Sequence, residues 1–238
     1  IKDDKFYMIE VNPRASRTIP FLSKCIGNSL AKIASKVITG KSLKDLGLEA
    51  EIMPTNYAVK APVFPFNKFR KVDPILGPEM KSTGEVMGRG DCFGEAFGKA
   101  MKGAGEVIPN QGRVFVSVKD NDKKYLPDLC SKLEKLGFQI YATKGTAKAL
   151  EKSDVKVKIV NKVLEGRPHI VDAILNKEID MIINTTEGRQ SIKDSFSIRR
   201  SALEHSIFLT TTISGGFAIV ESLEKGEENW EYKPLQLS

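Results

Sequence analysis

The stretch RVFVSVKDNDKKYLPDLCSKLEKLGFQIYATKGTA at residues 113–147 decides the fold. An apolar run at 114–118 predicts a strand, and the helical spacing of apolar residues across 122–136 predicts a helix. A second apolar run at 139–142 predicts another strand. A strand, a helix and a strand in this order are typical of a parallel sheet that helices cover on both faces.

The alternation of strands and helices continues almost to the end of the chain. It predicts, in order, a helix at 146–152, a strand at 155–159, a helix at 170–176, a strand at 179–184, a helix at 195–205, a strand at 207–210 and a helix at 216–225. We therefore expect an α/β fold built on a parallel sheet in this half of the chain.

The first half of the chain has a weaker pattern. It predicts a strand at 7–11, a helix within 20–40 that ends at Gly40, a strand at 56–63 and a helix at 92–101. The stretch KGAGEVIPNQG at 102–112 has three glycines and a proline and predicts a linker. We accordingly divide the chain into a first domain at 1–103, a linker at 104–112 and a second domain at 113–238.

Composition argues against several classes of protein. The chain has 238 residues, a net charge of +7 and three cysteines. No apolar run approaches the roughly 18 residues that a membrane span needs. Three widely separated cysteines fit neither a disulfide framework nor a zinc site, and they favour a cytoplasmic protein. Because the positive charge is spread along the chain and aromatic residues are sparse where lysines concentrate, we expect small phosphorylated ligands and no nucleic acid.

Polar residues follow several strands of the predicted sheet. In a parallel sheet, ligands bind beyond the carboxyl ends of the strands, where helix N-termini attract anions. The candidates are hydroxyls, an amide and lysines at such positions: Lys123, Thr143, Thr146, Lys162, Asn184 and Thr186. An ordinary helix cap on a tight turn and solvated surface lysines remain alternatives for these residues. For His169, which has no evident partner in the sequence, we favour a structural role.

A second group of candidates lies near the start of the chain, in FYMIEVNPRASR at residues 6–17. Glu10 and Asn12 are two residues apart, so on a strand both side chains lie on one face. Their oxygens suit a cation such as Mg²⁺, and Arg14 and Arg17 suit the phosphates that Mg²⁺ often bridges. The alternative is an exposed strand end of mixed charge. Because the chain begins with Ile1 and this site-like strand, we expect a C-terminal part of a longer protein.

Several stretches together resemble one known family. They are IEVNPRASRTIPFLSKCIGNSLAKIASKVITGKSL at 9–43, GPEMKSTGEVMG at 77–88, ATKGTA at 142–147, VNKVLEGRPHI at 160–170, IINTTEGR at 182–189, SIRRSAL at 197–203 and TTISGGFA at 211–218. In family order they resemble the end of the second ATP-grasp unit, the segment after it and the regulatory domain of the carbamoyl phosphate synthetase large subunit. The resemblance implies a methylglyoxal synthase-like, three-layer fold for residues 113–238.

The resemblance also implies an activity. The family makes carbamoyl phosphate from bicarbonate, ammonia released from glutamine by a small amidotransferase subunit, and two ATP, for arginine and pyrimidine biosynthesis. By this resemblance Glu10 and Asn12 bind Mg²⁺ or Mn²⁺ at the carbamate-phosphorylating site, with Glu10 also near ATP, while Arg14 and Arg17 bind phosphate there. Because the chain lacks most of that ATP site, we expect it to be inactive alone.

Regulation follows from the same resemblance. Lys123, Thr143, Thr146, Lys162, Asn184 and Thr186 match positions that hold an effector nucleotide, UMP or IMP, in bacterial relatives. Thr211 matches a position associated with ornithine, but Ala61 stands where we expect a glutamate that binds the ornithine amine. An alanine cannot pair with an amine, which argues against ornithine activation. The family relationship also implies a homo-oligomer of the full enzyme.

Two other functions stay open at this point. One is a methylglyoxal synthase-like lyase acting on a phosphorylated substrate, although residues 184–186 lack the carboxylate that such an enzyme places there. The other is a stand-alone nucleotide-binding regulatory protein with a structural N-terminal cap. Coding sequence for ATP-grasp units upstream of the chain distinguishes the synthetase from this second alternative.

Overall fold

The computed structural model describes residues 2–11, 13–14, 16–69, 72–77 and 79–234. They fall into two compact units, one containing the residues up to 55 and those from 232 onward, the other containing residues 56–231. None of the helices in these ranges is both long and apolar enough to cross a membrane. The predicted domain division at 104–112 stays a prediction. When the chain is divided by the contacts between its residues, residues 56–231 form a single unit that includes this segment.

The first unit contains two short helices, α1 at Thr18–Cys25 and α2 at Leu30–Ile38. Our prediction of one helix within 20–40 was wrong, because Gly27 has a φ of +71° and turns the chain between them. Ser29 then starts α2, since its side chain accepts a hydrogen bond from the Lys32 N–H at 3.4 Å.

The predicted strand at 7–11 was also wrong. These residues have no regular secondary structure, and their apolar side chains are exposed, with Met8 at 82% and Ile9 at 95%. A strand needs a neighbouring strand to pair its backbone groups. Neither sheet of the described chain includes this segment, so an apolar sequence alone does not make it a strand.

The second unit begins with an antiparallel pair of strands, β1 at Tyr57–Val63 and β2 at Gly84–Gly90. Helix α3 at Phe93–Gly103 packs against both strands. Glycine permits this close contact, because a Cβ on Gly88 would lie 2.0 Å from the Ala96 carbonyl oxygen. The predicted strand at 56–63 and helix at 92–101 are confirmed. Strand β2 was not predicted, since its glycines interrupt the alternation of side chains.

The main sheet has five parallel strands in the order β5-β4-β3-β6-β7. Its strands are β3 at Gly112–Ser117, β4 at Phe138–Ala142, β5 at Val157–Ile159, β6 at Met181–Asn184 and β7 at Phe208–Thr210. The predicted parallel α/β sheet is therefore confirmed. The chain moves outward from β3 to β4 and β5 and then returns to the other side of β3. Such a reversal opens a crevice at the carboxyl ends of the strands.

Helices cover both faces of this sheet. They are α4 at Leu126–Lys135, α5 at Lys144–Leu150, α6 at Ile170–Leu175, α7 at Arg189–Asp194, α8 at Phe196–Glu204 and α9 at Ile213–Lys225. The helix predicted at 122–136 starts instead as a 3₁₀ turn at Asp120–Tyr125. The six-residue helix α7 was not predicted, because it lacks apolar periodicity.

Alternate side chains of the central strand β3 enter two different cores. Val114 and Val116 pack on one face with side chains such as Leu129 of α4 and Ile219 of α9. Phe115 packs on the other face with residues such as Ile182 of β6. All of these side chains are fully buried, so β3 is held rigidly on both sides and fixes the position of the residues that follow it.

Candidate functional site

A cavity of about 450 Å³ lies at the carboxyl ends of β3, β4 and β6. Its wall includes the residues at the ends of these strands, the loop after β5 and one side of α7. The lining residues are Ser117, Val118, Lys119, Thr143, Lys162, Val163, Leu164, Glu165, Asn184, Thr185, Thr186, Gln190, Ser191, Asp194, Ser195 and Ile198. The cavity occupies the crevice expected where the strand order reverses around β3.

Four of the predicted effector residues line this one cavity. They are Thr143, Lys162, Asn184 and Thr186, which come from three different loops. Thr146 lies directly behind Thr143 and is buried, and Lys123 lies beside the start of α5, where a Cβ on Gly145 would be 3.7 Å from its Nζ.

Thr211 does not belong to the cavity wall. It follows β7, the edge strand next to β6, and is partly buried there. The structure therefore separates this predicted second-effector residue from the four that line the cavity.

Thr143 and Thr146 connect the loop after β4 to the end of β3. The Thr143 hydroxyl donates to the Thr146 Oγ1 at 3.3 Å, and that oxygen also accepts from the Val118 N–H at 3.4 Å. Both threonines are 2% exposed. The hydroxyls are thus fixed by neighbouring backbone rather than free to rotate in solvent.

Asn184 carries an unpaired acceptor into the wall of the cavity. Its Nδ2 donates to the Ser117 carbonyl at 3.3 Å, which places the amide nitrogen on the β3 side. Its Oδ1 is buried and has no hydrogen-bond partner among the described residues. A buried acceptor without a partner costs free energy, so a hydrogen-bond donor that reached this oxygen would be stabilising.

Thr185 and Thr186 have different environments despite being adjacent. The Thr185 Oγ1 accepts from the Lys119 N–H at 3.1 Å, and the Thr185 N–H donates to the Ser117 carbonyl at 3.0 Å. The Thr186 hydroxyl makes no hydrogen bond to any residue that the structure describes, although it lines the cavity. Thr185 therefore builds the wall, and Thr186 offers its hydroxyl to a ligand.

The charges around the cavity are unevenly distributed. Lys162 has no carboxylate within ion-pair distance in the described part of the chain, and Lys119 has only an exposed Glu187 oxygen at 3.9 Å. Lys123 is 2.7 Å from Asp120, and its hydrogen bond and charge lower the pKa of Asp120, with a smaller contribution from the Lys162 charge. This side of the cavity consequently attracts anions.

Carboxylates and apolar residues also line the cavity. Glu165 accepts from the Lys162 N–H at 3.0 Å, and Asp194 accepts from the Gln190 amide at 2.7 Å. Val163 and Ile198 add apolar surface. The lining suits a ligand that combines an anionic group with a partly apolar body and hydrogen-bond donors.

Comparisons with known proteins agree with this arrangement. A family model described as "MGS-like domain" matches residues 126–211, which include all four cavity-lining candidates, and one described as "Carbamoyl-phosphate synthase L chain, ATP binding domain" matches residues 1–46. The carbamoyl phosphate synthase large chain of Pseudomonas putida is 62% identical over 96% of this chain. Over nearly its whole length the chain matches the C-terminal portion of carbamoyl phosphate synthase large chains.

Other relatives in this family are similarly close. The large chain of Pseudomonas aeruginosa is 57% identical over 96% of this chain, and that of Vibrio cholerae is 54% identical over 92%. The chain spans about a fifth of the length of these curated relatives and matches their C-terminal portion. The family resemblance seen in the sequence is therefore confirmed.

The candidates near the start of the chain do not form a complete site by themselves. Glu10, Arg14 and Arg17 are exposed, and Asn12 lies outside the described residues. Across the described ranges no three His, Cys, Asp or Glu side chains are grouped as metal ligands. Of the two predicted metal ligands the described residues include Glu10, and Mg²⁺ is commonly held by one or two carboxylates together with substrate phosphates and water.

Our sequence analysis missed several residues of this cavity. Gln190, Ser191 and Asp194 belong to α7, which was not predicted, and Lys119 follows β3 without a motif. The rule that selected polar residues after strands would have found Lys119 if applied to β3 as well. His169 has the structural role that we favoured, since its ring Nδ1 accepts from the Asp172 N–H at 3.4 Å and caps α6.

Proposed function

We propose that the cavity binds a nucleoside monophosphate and that this chain is the regulatory C-terminal part of a carbamoyl phosphate synthase large chain. The observation that carries the proposal is the convergence of Thr143, Lys162, Asn184 and Thr186 on one cavity. Residues from three separate loops meet there only because of the sheet order. The family relationship supports the same role.

The phosphate end of the ligand is assigned to the side with lysines and hydroxyls. An ammonium group forms strong charge-assisted hydrogen bonds with phosphate oxygens, and Lys162 has no competing carboxylate among the described residues. Thr186 supplies a hydroxyl donor to the cavity, while Thr143 lines it with a hydroxyl that already donates to Thr146. Lys123 adds positive charge from beside Gly145, although Asp120 partly neutralises it.

We assign the nucleoside part of the ligand to the Asn184 acceptor and to the apolar residues of the cavity lining. Asn184 Oδ1 needs a donor, which phosphate oxygens do not provide and sugar hydroxyls or base N–H groups do. Val163 and Ile198 can contact the flat faces of a base or a sugar ring. A cavity of about 450 Å³ falls within the size range of small-molecule sites and is larger than a phosphate ion alone requires.

For residues 10–17, near the start of the chain, we propose a role in a different site. We propose that Glu10 and Asn12 contribute ligands for Mg²⁺ or Mn²⁺, with Glu10 also near ATP, and that Arg14 and Arg17 contact phosphate at the carbamate-phosphorylating site. The match of residues 1–46 to an ATP-binding domain supports this assignment. The remaining ligands come from outside the chain, so the chain alone makes no carbamoyl phosphate.

We further propose the family's wider context for this chain. The complete enzyme uses bicarbonate, ammonia from glutamine and two ATP, acts with a glutamine amidotransferase small subunit, assembles as a homo-oligomer and works in the cytoplasm. The relatives' name, a large chain, supports a partner subunit. UMP and IMP are the effectors proposed for the cavity.

Ornithine is not proposed as an effector. Ala61 is 1% exposed within β1 and provides no carboxylate for an amine. Thr211 alone, with one hydroxyl, cannot replace an ion pair. Adding ornithine should therefore leave the chain's thermal stability unchanged.

Calorimetric titration of the chain with UMP and with IMP, at fixed salt, tests the cavity assignment. We expect saturable binding of at least one nucleotide and a loss of about 10-fold or more in Lys162→Ala, the size expected for a hydrogen bond to a charged group. Lys135→Ala is the matched control. It removes the same charge from the exposed last turn of α4, away from the cavity, and should bind as the unmodified chain does.

Two results would contradict the proposal. If the folded chain gives no binding heat with either UMP or IMP, the proposal that the cavity binds a nucleotide is wrong. Equal losses in Lys162→Ala and Lys135→Ala would show that affinity reflects net charge rather than the cavity.

A further inference from the structure

A buried arginine connects the cavity to a distant part of the same unit. We infer that Arg199 is a positioning residue that couples ligand binding in the cavity to the strap, by which we mean residues 64–69 and 72–76 between β1 and β2. The ligand-dependent part of this inference rests on the proposed nucleotide site. It goes beyond that proposal because it names how occupancy of the cavity reaches another segment.

Arg199 contacts the strap and the cavity wall with one guanidinium group. It is 0% exposed, and its Nε and Nη2 lie 2.8 and 2.5 Å from the two carboxylate oxygens of Asp73 in the strap. The same Nη2 donates to the Ile192 carbonyl of α7 at 2.7 Å. A planar guanidinium held at three points transmits a displacement of either neighbour to the other.

The wall of the cavity lies immediately beside this guanidinium. Helix α7 presents Gln190, Ser191 and Asp194 to the cavity, and Ile192 lies between them. On α8, Ile198 lines the cavity one residue before Arg199. A ligand that contacts α7 or Ile198 therefore acts on the backbone that holds Arg199.

The strap is anchored to the same helix by a second arginine. Arg200 Nη1 donates to the carbonyls of Phe69 at 3.1 Å, Phe66 at 3.4 Å and Val72 at 3.5 Å. The strap's connection to α8 thus consists of Asp73 on Arg199 and a row of carbonyls on Arg200. Because none of the hydrogen bonds of Arg200 in the described chain goes to α7, Arg199 carries the hydrogen-bonded connection to the cavity wall.

The guanidinium of Arg199 is not fully satisfied in this arrangement. Its Nη1 is buried and has no hydrogen-bond partner in the part of the chain that the structure describes. A buried unpaired donor costs free energy, so an arrangement of α7 or the strap that pairs Nη1 competes with this one. A ligand with different affinity for the two arrangements shifts their populations, which is the requirement for coupling.

Hydrogen–deuterium exchange of the whole chain tests the inference, first without ligand. In Asp73→Asn, which weakens one contact of Arg199, we expect faster exchange of the α7 amides at 192–194 as well as of the strap. The matched control is Asp180→Asn, which weakens an arginine–aspartate pair of the same kind at the amino ends of β3 and β6. The control should leave exchange in α7 unchanged.

The second arm adds UMP at saturation. In the unmodified chain UMP should slow exchange in the strap, and in Asp73→Asn that effect should disappear while the Kd for UMP rises about 5-fold or more, the lower end of typical coupling. A double variant, Asp73→Leu with Arg199→Met, removes both charges and so avoids an unpaired buried cation if Asp73→Asn folds poorly. It should also lose the response of the strap.

The outcomes separate the two proposals. If α7 exchange is the same in Asp73→Asn, Asp180→Asn and the unmodified chain, the positioning role of Arg199 is overturned whether or not nucleotides bind. If UMP binds and protects α7 but never the strap, the coupling is overturned and the nucleotide site stands. If no nucleotide binds but α7 responds to Asp73→Asn, the nucleotide proposal fails and the positioning role stands.

Discussion

The Thr143 hydroxyl donates to the Thr146 oxygen over 3.3 Å, at the junction of β4 and α5. The same oxygen accepts from the Val118 N–H just after β3. Because Thr146 Oγ1 accepts twice, it joins the loop after β4 to the end of β3, behind the Thr143 that lines the cavity. Thr146, which the family resemblance predicts to bind the effector, therefore also holds two loops of the cavity wall together.

We expect Thr146→Val to weaken both folding and binding. Valine keeps the shape but leaves the buried Val118 N–H without its acceptor, which typically costs about 1–3 kcal/mol of unfolding free energy. Thr146→Ser retains the oxygen and should lose less than half as much. Urea denaturation measures the stability, and calorimetric titration with UMP measures the binding. Equal stability of the valine and serine variants would contradict the structural role of the hydroxyl.

A second prediction concerns the contact of α3 with α9. A Cβ on Gly94 would lie 2.2 Å from the Glu221 carbonyl oxygen, a backbone atom that cannot rotate away. Gly94→Ala should therefore separate the two helices and lower the unfolding free energy by about 1–3 kcal/mol, as overpacking does.

Gly84→Ala is the control for this prediction. Gly84 begins β2, and no heavy atom lies within 4 Å of a Cβ placed there. Its effect should stay within about 0.5 kcal/mol, as for most surface substitutions. Thermal unfolding of both variants measures the difference, and a Gly94→Ala protein as stable as Gly84→Ala would show that the helices can separate without cost.

Sequence periodicity predicted the second half of the fold because its central strands β3, β4 and β6 are largely buried on both faces. Residues 114–118 and 179–184 are predominantly apolar runs, and such short runs between helical segments are typical of strands in a covered parallel sheet. The strand predicted at 7–11 failed for the opposite reason, since strand formation depends on a partner that sequence pattern does not reveal. Strand β2 was missed because packing against α3 requires glycine at Gly88, which hides the alternation.

Of the residues that line the cavity, only those that follow a strand could be predicted from the sequence. That rule identified Thr143 and Asn184, which the structure brings together. It could not identify Asp194, because a six-residue helix has too little periodicity, nor Arg199, because arginine in a sequence is expected to be exposed. Long-range contacts such as that of Arg199 with Asp73 depend on the folded chain and leave no local signal.

The last prediction concerns acid stability and the pair of Arg113 and Asp180. Asp180 Oδ2 lies 3.0 Å from Arg113 Nε and 2.8 Å from the Arg113 backbone nitrogen, joining the amino ends of β3 and β6. Partial burial raises the pKa of Asp180, but the hydrogen bonds from the side chain and backbone of Arg113 and its charge lower the pKa by more. The net pKa is below the ordinary value.

A carboxyl group whose pKa is lower in the folded state stabilises the fold above its unfolded pKa of about 3.9 and loses that contribution as the pH falls through its folded pKa. The pair is partly exposed, so Asp180→Asn should cost only about 0.5–1 kcal/mol near neutral pH. Urea denaturation of both proteins from neutral pH down through the acid range should show this difference constant above about pH 5 and shrinking toward zero below the folded pKa. A difference that persists at the lowest pH would mean that Asp180 acts through hydrogen bonds that do not need its charge.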